Sequence, residues 1–117
     1  MQNRKDLRVH CNIITRIARM PENHKKEVNE KDKFMIEITN ISVAGIHFVS
    51  NLEIEENGEY IVELPINNTI EKVNCKATRV YIQDGQYNSG ARFKEMTYDT
   101  EKSIRSYVYK LQLSRRK

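Results

Sequence analysis

The feature that most limits the fold of this chain is an alternation of apolar and polar residues that begins at Val9 and returns, between turn signals, as far as Glu95. Period two places every other side chain on one face of a strand, so each run describes a ribbon with one buried and one wet face. Val9, Cys11, Ile13 and Ile17, with Thr15 between them, form the first such face, and Arg19 ends it. Pro21 to Lys33 has no periodicity and reads as a long surface loop with freedom to move. Phe34, Ile36 and Ile38 resume the pattern, and the small-residue break from Ser42 to Gly45 predicts a sharp reversal before Ile46 and Phe48. Tyr60, Val62, Leu64 and Ile66 make the next strand. Asn57-Gly58, Asn67-Asn68 and Asp84-Gly85 are turn signals, since these residue types tolerate positive φ.

The strand after Asn68 changes phase. Val73, Cys75 and Ala77 occupy odd positions but Val80 and Ile82 even ones, which predicts a β-bulge near Thr78. Tyr87 to Glu95, with Ala91 and Phe93 on one face, is the sixth strand. The tail switches period: Ile104, Tyr107, Val108 and Leu111 recur at i, i+3, i+4 and i+7, with Thr97 or Asp99 available as N-cap. The fold class is therefore all-β, six antiparallel strands in a small barrel or sandwich, with a C-terminal α-helix packing its apolar stripe on the strands or on a partner. In 117 residues this is one domain, divided as an arm over 1–8, a barrel over 9–96 and a helix over 97–117.

Composition excludes several classes. No apolar run approaches the ~18 residues of a membrane span, and Met1 to Arg8 lacks the apolar segment of a signal peptide, so the expected location is the cytoplasm. On that reading the sequons at Asn40 and Asn67 carry no weight. Cys11 and Cys75 sit inside apolar patterns without CxxC spacing and are expected to be core thiols. The histidines, His10, His24 and His47, are spread over a strand, a loop and another strand, with no nucleophile, base or metal set around them. No P-loop or GxGxxG is present. An enzyme, a metal and a cofactor are not expected.

Charge is unevenly distributed. Residues 1–33 hold 9 basic and 5 acidic side chains, residues 34–96 hold 5 and 9, and residues 97–117 hold 6 and 2, a balance of +4, −4 and +4. An acidic midsection without tryptophan argues against a DNA-binding surface or a single-strand binder, which needs a basic groove interleaved with aromatics. Within the first segment, Arg4 and Arg8 form an RxxxR ahead of the first strand. Within the predicted reversal, Asn40, Ser42 and Gly45 form an NxSxxG, which as a turn would use Asn and Ser to bond the neighbouring backbone and Gly to supply positive φ.

These two motifs in this order, followed by six strands and a helix, resemble the PilZ domain family. The similarity extends to Thr78-Arg79-Val80-Tyr81, to Gly90-Ala91-Arg92-Phe93 and to the helix from Thr100 to Arg115. The resemblance implies a six-stranded antiparallel barrel with a C-terminal helix and a bacterial receptor for the second messenger cyclic di-GMP. By position, Arg4 and Arg8 would engage phosphate and guanine, Asn40, Ser42 and Gly45 would form the floor under a guanine, and Arg79 would be an additional contact. Guanidinium forks suit both phosphate oxygens and the O6/N7 edge of guanine, and glycine would let a base approach the backbone. Asn3 stands where many members carry a further arginine, a position that bears on whether one ligand or a stacked pair is held. Ordering of the arm over the barrel would carry the signal to a neighbouring domain or a downstream protein. The alternative is a ligand-independent adaptor of the same family acting through protein contacts.

Overall fold

The structure is a computed structural model, and it describes residues 7–23 and 27–114. Six strands, β1 (Val9–Arg19), β2 (Phe34–Ile41), β3 (Gly45–Ser50), β4 (Glu59–Ile66), β5 (Thr69–Gln83) and β6 (Gln86–Lys94), close into a barrel in the order β1-β2-β3-β6-β5-β4. Every neighbouring pair is antiparallel. Closure leaves no unpaired strand edge, which an open six-stranded sheet would have.

The alternation read from the sequence is the inside-outside pattern of this barrel. Val9, Cys11, Ile17, Ile36, Ile38, Phe48, Val62, Leu64, Val73, Cys75 and Ala77 are all buried in one core. Cys11 and Cys75 are buried thiols not joined in a disulfide, and burial pushes the Cys75 thiol up to about 12. Asn67 and Asn68, then Asp84 and Gly85, take positive φ in two-residue hairpins, as their residue types allow. At Asn57-Gly58 only Asn57 does so.

The helix α1 spans Tyr98–Ser114. Thr97 is its cap: its Oγ1 accepts from the Thr100 amide at 3.1 Å, satisfying one of the orphan donors of the first turn. Ile104 and Val108 enter the barrel core, with Tyr107 and Leu111 packed against it. The Asn67 amide donates to the Ser103 carbonyl at 2.8 Å, tying the β4–β5 turn to the helix. No helix among the described residues is long and apolar enough to cross a membrane.

The Pro21 to Lys33 segment departs from the expected free loop at its end. His24, Lys25 and Lys26 lie outside the described residues. Beyond them a 3-10 turn at Glu30–Asp32 is fastened to the barrel by four charges. Arg16 grips Glu63 through Nε at 3.1 Å and Nη2 at 3.2 Å and reaches Glu30 at 2.8 Å. Lys33 bonds the same two carboxylates, at 2.7 Å and 2.9 Å. Side-chain ion pairing, which here spans from 3 to 47 residues, leaves no apolar periodicity in the sequence.

Candidate functional site

Irregularities in two strands, β2 and β5, together build a site on the face that holds the Ser42–Gly45 reversal. In β2 the register against β3 shifts between Ile38 and Asn40, so Thr39 is an extra residue. In β5 the register against β6 shifts between Ala77 and Arg79, so Thr78 is an extra residue, where the phase change in the sequence places it. A bulge re-aims the side chain that follows. Both bulge threonines donate their hydroxyls across to the facing strand, Thr39 to the His47 carbonyl and Thr78 to the Gly90 carbonyl, each at 3.3 Å. The result is one register row across the sheet: His10 opposite Asn40, Asn40 opposite His47, His47 opposite Gly90, Gly90 opposite Arg79.

Over the inner part of this row lies a cleft of about 200 Å³ bounded by Arg8, Asn40, Ser42, Gly45, His47, Thr78, Arg79, Gly90 and Arg92 among others, and among the described residues no carboxylate lines it. The structure thus brings Arg8, Asn40, Ser42, Gly45 and Arg79 together. Arg4 lies outside the described residues. His47, Thr78, Gly90 and Arg92 join the cleft without having been singled out as site residues. For His47 the sequence shows only a polar residue in an outward strand position. The register that sets it between Asn40 and Gly90 depends on the Thr39 bulge, whose one trace in the sequence is the step from even positions, Ile36 and Ile38, to the odd position of Ile41.

One expectation about the NxSxxG is corrected, and Ser42 bonds the neighbouring backbone as expected of a turn. Gly45 does not take positive φ, and its missing side chain answers to packing: a Cβ there would run into the backbone carbonyl of Ala91 on β6. Ser42 is buried, and its Oγ accepts from the amides of Ala44 at 3.1 Å and Gly45 at 3.2 Å. The Ser42 amide donates to the Gly45 carbonyl at 2.9 Å, and the Ala44 carbonyl accepts from Phe93 at 2.8 Å. Serine and glycine therefore hold the reversal flat against β6. Asn40 is different, because its side-chain amide makes no hydrogen bond among the described residues and stands open to the cleft.

The electrostatics are one-sided. Of the described arginines, Arg16, Arg19 and Arg105 are in ion pairs with glutamates. Arg8, Arg79 and Arg92 are in none, and all three line this cleft. Arg79 lies over the Tyr81 ring at 5.2 Å, which holds its planar group at the rim. His47 Nδ1 is 3.0 Å from Thr39 Oγ1 and Nε2 is 3.5 Å from the Tyr81 hydroxyl. Partial burial pulls the His47 pKa down, and the charges of Arg8 and Arg79 add to this. Gly90 has neither positive φ nor any atom within 4 Å of a built Cβ, so neither conformation nor packing demands a glycine there. Its bare backbone gives the cleft a flat floor between His47 and Arg79. Among the described residues no group of His, Cys, Asp and Glu is placed to hold a metal ion.

Solved structures of low identity share the fold. The Bacillus subtilis inhibitor of motility MotI/DgrA matches with a TM-score of 0.72 at 16% identity, over 100% of this chain and 55% of that one. MrkH of K. pneumonia, in complex with c-di-GMP, matches at 0.71 and 15%, over 100% and 56%. The PilZ domain of YcgR from Escherichia coli, with c-di-GMP, matches at 0.69 and 11%, over 98% and 95%. The chain thus spans about half the length of the first two. No curated protein matches it in sequence. The family model described as the PilZ domain matches residues 2–110, and the chain belongs to the PilZ domain family.

Proposed function

We propose that the protein is a non-catalytic receptor for cyclic di-GMP, bound on the barrel face at the Arg8–Asn40–Arg79 cleft. One observation carries the reading: the three described arginines without a carboxylate partner among the described residues converge on one cleft that no described acid lines. Guanidinium groups held apart from carboxylates keep their donors for an anion, and their fork fits phosphate and the Hoogsteen edge of guanine in two-bond contacts. Asn40 adds an amide that both donates and accepts. Family membership and the c-di-GMP in the MrkH and YcgR structures support the choice of ligand.

The cleft is smaller than the roughly 300–1,000 Å³ of pockets that enclose a ligand. It cradles part of a dinucleotide, and Arg4, one RxxxR spacing before Arg8, is assigned to the remainder. Closure of the arm over the ligand changes the surface offered to a neighbouring domain or a downstream protein, which is how occupancy becomes a signal.

Titration calorimetry with cyclic di-GMP tests the proposal. Saturable binding is expected, with Arg8→Ala and Arg79→Ala each weakening it about 5- to 150-fold, the worth of one bidentate contact. Absence of binding, or binding indifferent to both arginines, would overturn it. A partner protein retained equally with and without nucleotide would instead establish the adaptor.

A further inference from the structure

We infer that His47 is an additional ligand-contacting residue of the cleft and that it binds the anion as an imidazolium, so that cyclic di-GMP binding takes up a proton from solvent. The inference rests on the receptor reading above and adds to it a residue and a linkage. It begins with the hydrogen bonds that fix the ring. Thr39 Oγ1 lies 3.0 Å from Nδ1 and 3.3 Å from the His47 carbonyl, and when its one hydroxyl hydrogen goes to the carbonyl its oxygen accepts from Nδ1–H. The neutral ring then carries its lone pair on Nε2, where the only partner among the described residues is the Tyr81 hydroxyl at 3.5 Å, the far limit of a hydrogen bond.

An oxyanion cannot be received by that lone pair. It can be received by Nε2–H, which exists beside Nδ1–H only in the imidazolium. His47 sits in the register row between Asn40 and Gly90, and the floor beside it is bare backbone, so a bound phosphate or guanine carbonyl has access to Nε2.

The groups around His47 set the direction of the linkage. From the N-terminal side Arg8 faces it, and from β5 Arg79 and Tyr81; Arg92 of β6 lines the same cleft, and β2 contributes the uncharged Thr39 and Asn40. His10 of β1 is in register across Asn40. No acid among the described residues joins them, so without ligand the guanidiniums oppose protonation together with partial burial, and the lowered pKa of His47 agrees with this. A phosphodiester anion reverses the local field. The pKa in the complex is then higher than in the free protein, and by linkage the affinity must rise as pH falls through the interval between the two values. A guanine N–H given to the Nε2 lone pair would have the opposite sign.

The test is calorimetry with cyclic di-GMP at pH 8 and pH 5.5, each in two buffers of different ionisation enthalpy, together with NMR titration of the His47 ring. The chain has three histidines, so the reference is the full chain with His10→Gln and His24→Gln, in which His47 alone titrates as an imidazole. Expected are net proton uptake, an affinity tighter at pH 5.5 by at most about tenfold for each unit by which the ligand raises the His47 pKa, and loss of that slope on adding His47→Gln. Binding that is flat with pH, that weakens in acid, or that keeps its slope in the His47→Gln chain overturns the role of His47 while leaving the receptor reading standing. No binding at either pH overturns both.

Discussion

At the scale of single residues, two glycines in the same cleft have opposite reasons to be glycine. Gly45 is there because β6 passes too close for a side chain. Gly45→Ala forces the Ala91 backbone to move, and a loss of roughly 1–3 kcal/mol in urea unfolding is expected, the usual penalty of overpacking. Gly90 meets nothing and has an ordinary backbone. Gly90→Leu is expected to fold with an unchanged or higher urea midpoint, since strands favour larger residues, and to weaken cyclic di-GMP binding more than tenfold by filling the floor. A Gly90→Leu chain that binds normally would show that the floor is not used. Cys75 gives a third residue-scale outcome. With its thiol pushed up to about 12 inside the barrel, it should resist thiol reagents at pH 8 in the native state and react once the chain is unfolded.

At the scale of elements, the bulges at Thr39 and Thr78 do the positioning. Each adds one residue to its strand and pins the excess with a threonine hydroxyl to the opposite carbonyl. Without them the strict alternation that buries Ile38 and Ala77 would carry Asn40 and Arg79 through the sheet in a different phase. One bulge was legible because apolar residues lie on both sides of Thr78 and change parity. The other left a weaker trace, because Ile41 alone follows it before the reversal and carries the change of parity from Ile36 and Ile38. The helix is simpler: its stripe and its cap are both local. Thr97→Ala removes the acceptor for the Thr100 amide and is expected to cost about 1 kcal/mol in urea unfolding while leaving nucleotide affinity within twofold.

At the scale of the whole molecule, charge is sorted by the fold in a way that chain order conceals. Residues 34–96 sum to −4, yet Arg79 and Arg92 from that segment stand beside Arg8 around one cleft that no described acid lines. The glutamates are drawn to other faces, where Glu30 and Glu63 pair with Arg16 and Lys33. Bonds from Lys33 and then Arg16 hold the Glu30 carboxyl down to about 2, below its usual value of ~4.3. A carboxylate with a depressed folded pKa contributes its stability above the unfolded value and loses it as pH falls through the folded one. Thermal unfolding by circular dichroism should therefore show a fall between about pH 4.5 and pH 2 that is shallower in Glu30→Gln. An identical acid limb in both chains would mean that the tether at Glu30–Asp32 does not couple to global stability.

The sequence by itself determined the six strands, their hairpin turns, the helix and its cap, because each depends on residues within a few positions of one another. Of the residues lining the cleft, Arg8, Asn40, Ser42, Gly45 and Arg79 were also within its reach, through the RxxxR, the NxSxxG and the Thr78-Arg79-Val80-Tyr81 strand that resemble the PilZ domain family. Only the tertiary structure decided that Arg79 and Arg92 face Arg8, that His47 lies between Asn40 and an empty floor, and that Ser42 and Gly45 serve the reversal and its fit to β6. Those facts depend on which strands become neighbours and in what register. Register across a closed barrel is set jointly by six strands and their bulges, so no local stretch of sequence carries it.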